Sequence, residues 1–96
     1  MTGECRIKCH AKPGAFSDEF VVRISIVDSQ GQDVQAESLA YSDSIELHGQ
    51  PSAIGEHDAT LRVYQLGQRD SLVSVVLPQP TFQNGPSVIV RQTNLV

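Results

Sequence analysis

Phe20-Val-Val-Arg-Ile-Ser-Ile-Val27 sets Phe20, Val22, Ile24 and Ile26 on one side of an extended chain and Arg23 and Ser25 on the other. That period of two is the pattern of a strand with one buried face, because successive strand side chains point to opposite faces. A helix would instead repeat its apolar residues three and four positions apart. Asp28-Ser-Gln-Gly-Gln-Asp33 follows as turn material, since glycine accepts positive φ and Asp or Ser side chains bond nearby backbone amides. Residues 34–41 then return as the second arm of a hairpin.

The same alternation extends toward the N-terminus. In Cys5-Arg-Ile-Lys-Cys9-His10 it turns Cys5, Ile7 and Cys9 inward and Arg6, Lys8 and His10 outward. Toward the C-terminus a short apolar alternation at Ile45 and Leu47 precedes Gly49-Gln-Pro-Ser-Ala-Ile-Gly-Glu-His-Asp58, which has neither periodicity and reads as a long loop. Ala59 to Leu66 reads as a strand, Gly67-Gln-Arg-Asp70 as a turn, and Leu72-Val-Ser-Val-Val-Leu77 as the returning strand. Pro78, Pro80 and Pro86 lack a backbone donor, so residues 78–86 read as a loop or edge-crossing connection before a last strand at Val88-Ile-Val90. Ser17-Asp-Glu-Phe20 suits at most one capped turn. The expected core is Ile7, Val22, Ile24, Ile26, Leu39, Ile45, Leu47, Leu61, Val63, Val73, Val75, Leu77, Val88 and Val90. Val22-Arg23-Ile24 and Leu61-Arg62-Val63 echo each other, a pattern that two hairpins under the same turn chemistry produce, against the alternative of an ancient duplication.

The chain has 96 residues, of which 40% are hydrophobic. That length suits one domain spanning residues 1–96, burying roughly two-thirds of the surface of its unfolded chain. Its net charge of -4 argues against broad nucleic-acid binding, which draws affinity from basic residues that neutralise phosphates. Neither a signal-like apolar stretch nor a run of about 18 apolar residues occurs. The default expectation is therefore a soluble cytoplasmic protein with no membrane partner.

Three clusters carry candidate chemistry. The stripe Arg6, Lys8 and His10 concentrates positive charge that suits an anionic partner, against the alternative of a solvated face whose charges deter strand pairing. The Cys5/Cys9 pair raises metal, redox and haem-attachment readings. On a strand, however, the two lie about 13 Å apart at ~3.3 Å per residue, beyond the roughly 7 Å between Cα atoms that a disulfide tolerates. The haem pattern Cys-x-x-Cys-His also differs in spacing, and the cysteines read as small buried hydrophobes. Glu46, His48, His57 and Asp58 form the third cluster, with imidazoles and carboxylates suited to a metal or to proton transfer but without a recognisable ligand spacing.

Phe82, inside the proline-rich segment, is the remaining candidate. It is either an apolar anchor on a preordered binding surface or a plug over the core edge. No nucleophile elbow or phosphate-cradling glycine pattern is present, and no cofactor is implied. The expectation is an all-β domain of about seven strands: a small antiparallel β-sandwich of Ig-like or Greek-key type, with a partly open β-barrel as the alternative. The Cys-Trp-Cys signature of immunoglobulin domains is missing, as the chain has no Trp. The functional expectation is a non-catalytic module for protein binding or assembly, including self-association through an edge strand. The alternative is a small ligand- or metal-binding domain, an enzyme component included, centred on His48 and His57.

Overall fold

The computed structural model describes residues 3–83 and 85–96. Seven strands follow one another: β1 (Gly3–Pro13), β2 (Glu19–Val27), β3 (Asp33–Tyr41), β4 (Ile45–His48), β5 (His57–Arg69), β6 (Leu72–Thr81) and β7 (Gly85–Arg91). Short 3₁₀ turns at Ser42–Ser44 and Gln92–Asn94 are the only helical pieces among the described residues. No helix among them is long and apolar enough to cross a membrane.

The strands form one antiparallel sheet in the order β4-β5-β1-β2-β3-β6-β7, and an added pairing of β5 with β6 closes it. Following the ladder β1-β2-β3-β6-β5 leads back to β1, so five strands make a barrel, while β4 and β7 extend it from β5 and β6. The all-β expectation holds in its alternative form, a barrel, and not as the sandwich. Both architectures show the same inward and outward alternation; what separates them here is β6, which pairs with β5 through Leu72–Val76 and reaches β3 at Thr81↔Ser38. A single strand touching both ends of the sheet leaves no second layer to pack against. Register shifts at Gln65/Gly67 in β5 and between Val76 and Thr81 in β6 accompany the closure, consistent with bulges that bend a strand and increase its twist.

Pro78 and Pro80 stand inside β6, in the irregular stretch where no register partner is paired, and Pro86 is in β7. Of the expected loop over residues 78–86, in which Asn84 lies outside the described residues, 78–81 belong to β6 and 85–86 to β7, the prolines standing at positions that donate no ladder hydrogen bond. Likewise, β5 runs on to Arg69 and turns at Asp70 and Ser71, with Asp70 in the left-handed region at φ 55°, which Asp tolerates better than most residues.

Alternation along β1 and β2 is as expected: Ile7, Cys9, Ala11, Val22, Ile24 and Ile26 are buried, and Arg6, Lys8, His10 and Lys12 are exposed. The surprise is β3. Its register sets Ala36 opposite Ile24, Ser38 opposite Val22 and Ala40 opposite Phe20, so small residues point inward and Leu39 is half-buried outside. A five-stranded barrel has a narrow interior, already filled by Ile7, Ile24, Leu61, Val73, Val75 and Val90; β3 fits by contributing little volume. Ile45 packs only partly against the core, and Leu47 is exposed because β4 extends past the closed ring.

On the N-terminal side of His10, β1 and β2 separate. β1 pairs with β5 from Gly3 to Ala11 but with β2 only from His10 to Pro13. The C-terminal segment enters part of the gap, with Leu95 bridged to Ile7 and the Val96 N–H donating to the Arg6 carbonyl at 3.0 Å.

Candidate functional site

On the outer face, register alone aligns His48 of β4, Asp58 of β5, His10 of β1, Arg23 of β2 and Glu37 of β3 in one row. Acidic and basic residues are interspersed along it, with His10 beside Arg23. His10 Nδ1 lies 3.2 Å from Asp58 Oδ1. One row along, Arg6 meets Glu46 at 3.4 Å, and the His48 ring sits 3.3 Å from Thr60 Oγ1 and 3.9 Å from Glu46. Two of the three basic residues of the expected stripe, Arg6 and His10, thus face carboxylates. Lys8 has no ion-pair partner among the described residues.

The connection from Gly49 to Glu56 folds back over this face. It is tightened by Ser52 N–H to the Glu56 carbonyl at 2.7 Å and by Gly55 N–H to the Ser52 carbonyl at 2.9 Å. Glu56 then takes two hydrogen bonds from Arg23, at 2.7 Å from Nη2 and 3.3 Å from Nε. This forked geometry fixes orientation better than a single contact does. The bond from Arg23 holds the Glu56 carboxyl below the usual carboxylate range and in turn raises the Arg23 pKa. Between loop and sheet lies an open cavity of about 390 Å³ bordered by His10, Ser52, Ile54, Glu56 and Asp58. Sequence reading missed this clamp because its two residues are 33 positions apart; only the outward placement of Arg23 hinted at it.

The four-residue cluster is divided by the sheet. Glu46, His48 and Asp58 share the outer face, whereas His57 is in register with inward-facing Ala11 and keeps Nδ1 buried without a hydrogen-bond partner. His57 and Asp58 are also the first residues of β5, not part of the loop. Among the described residues no three His, Cys, Asp or Glu side chains gather to hold a metal ion.

Cys5 and Cys9 are free thiols. Burial raises the pKa of both, pushing Cys9 up to about 12 from an ordinary 9.0. Below pH 9.0 the thiol is neutral whether the chain is folded or not. Between 9.0 and about 12 the unfolded chain releases a proton that the folded chain retains, so stability falls by up to about 1.4 kcal/mol per pH unit from this group. Cys9→Ala is therefore expected to flatten the decline in urea midpoint between pH 8 and pH 11; an unchanged slope would show that Cys9 ionises freely in the fold.

Phe82 stands at the tip of the β6–β7 hairpin with its side chain outward, and the residue is 57% exposed. Its backbone N–H donates to the Glu37 carbonyl of β3 at 2.9 Å. Beside it, Thr81 pairs with Gly85, Thr81 Oγ1 donates to the Gly85 carbonyl at 2.8 Å, and Gly85 adopts φ 74°. The tip is stapled in place with the ring displayed.

Comparison of the chain with protein-family models, with curated proteins and with solved structures finds no match.

Proposed function

We propose that this barrel is a non-catalytic protein-binding module that presents Phe82 as its anchor. The observation that carries the reading is the combination of a fixed backbone and a free ring: the hairpin tip is tied to β3, yet Phe82 leaves the core. Burying an aromatic side chain from water is among the largest single contributions to an interface. Holding it on a backbone tied to β3 and close to Pro80 reduces the entropy lost when a partner closes over it. The two extending strands, β4 and β7, pair on one side each and offer a route to assembly with a second copy.

Phe82→Ala is expected to change stability by no more than about 0.5 kcal/mol, as at other exposed positions, while abolishing partner capture. A photo-crosslinking residue at position 82 in the native cell is expected to give one dominant adduct, to another protein or to a second copy. The same probe at Gln30, exposed in the β2–β3 turn, is expected to give none. Equal labelling at both positions, or a large loss of stability in Phe82→Ala, would overturn the reading.

A further inference from the structure

The gap between β1 and β2 is lined by hydrogen-bond donors. Lys8, His10 and Cys9 border it from β1, Arg23 and Ser25 from β2, Gln35 from β3 and Asn94 from the C-terminal turn, around a volume of about 260 Å³. No carboxylate lines it. The gap exists because the β1–β2 ladder stops at His10↔Arg23 while both strands continue, and the C-terminal segment rejoins β1 only at Ile7.

From this arrangement we infer a binding site for a small oxyanion, a phosphate or carboxylate group. Arg23 has five N–H bonds. Two are given to Glu56 and one to the Gln35 side-chain oxygen at 3.3 Å, which leaves one on each terminal nitrogen. Because the Gln35 oxygen accepts from Arg23, its amide nitrogen remains a donor. Lys8 has no carboxylate partner among the described residues, so its ammonium is not already neutralised. Ser25 and Asn94 add neutral donors.

The opposing charges lie to the sides of the gap. Glu56 holds Arg23 from the loop side, Asp58 meets His10, and Glu37 is opposite Arg23 on β3. They fix Arg23 and His10 in place and moderate the field, so affinity for a simple anion is expected on the order of millimolar. Phe82 does not line this gap, although Gln35 borders both it and the surface beside Phe82, and the inference does not rest on the protein-binding reading.

The test is a titration of the intact chain with inorganic phosphate, and in parallel with acetate, at constant ionic strength, followed by amide and side-chain NMR signals. Saturating shifts are expected at Lys8, His10, Ser25, Gln35 and Asn94. Replacing Lys8, an exposed residue, by Ala is expected to weaken binding about tenfold through loss of a charge-assisted hydrogen bond. Lys12→Ala, on the same strand but outside the gap, is expected to change nothing. Preference for phosphate over acetate identifies a phosphate-bearing ligand, and the reverse a carboxylate. Non-saturating shifts spread over all the basic residues, or equal effects of Lys8→Ala and Lys12→Ala, would overturn the inference.

Discussion

Leu61→Ala is expected to lower stability by about 2–5 kcal/mol, the range for a fully buried leucine whose cavity cannot collapse. Leu61 is wholly inaccessible, sits opposite Ile7 on β1 and Ile45 on β4, and belongs to β5, which pairs with β1, β4 and β6. Truncation there removes packing from the strand that ties the closed ring to its extension. In a domain of this size each kcal/mol moves the thermal midpoint by roughly 4–8 °C, so the midpoint should fall by about 10 °C or more. Leu39→Ala is the control: the same chemical deletion on the half-buried outer face of β3 should cost clearly less. Equal losses in urea unfolding would show that the inward face of β3 has been assigned wrongly.

Ser38→Ala is expected to open the β3–β6 seam at a cost of about 1–3 kcal/mol, the penalty for leaving a buried acceptor unsatisfied. Ser38 is 1% exposed, and its Oγ lies 3.0 Å from the carbonyls of both Gln79 and Pro80 and 3.2 Å from that of Leu39. One hydroxyl hydrogen serves one of these acceptors at a time. Alanine removes the hydroxyl donor and adds no volume to the narrow interior. Hydrogen exchange should accelerate at Ser38 and Thr81, the register pair of the seam, while the long β1–β5 ladder retains its protection. A uniform change across both would mean that the seam is not a local unit.

The elements legible in the sequence are those with large side chains on a regular strand. β1 and β2 alternate cleanly, and the buried faces of β5, β6 and β7 follow from Leu61, Val63, Val73, Val75, Leu77, Val88 and Val90. The reading fails where available space outweighs hydrophobicity: Leu39 is outside because the narrow barrel needs Ala36, Ser38 and Ala40 within it. Prolines misled for a related reason. Pro78 and Pro80 signal a missing donor, but a strand that bends between two partners has room for them. Closure into a barrel depends on β6 meeting both β5 and β3, a long-range register that no local pattern encodes. The same holds for the site. Outward placement of Arg6, Lys8 and His10 was readable, whereas the Arg23–Glu56 clamp and the donor-lined gap arise from residues that only the folded sheet brings together.

Closure of the five-stranded ring is tested most directly by interstrand nuclear Overhauser contacts at its two seams. The fold predicts backbone contacts between Ser38 and Thr81 and between Tyr64 and Val76 in the same spectrum. Contacts between Val73 and Val90 with none between Ser38 and Thr81 would contradict it, leaving β6 joined to β7 but the ring open.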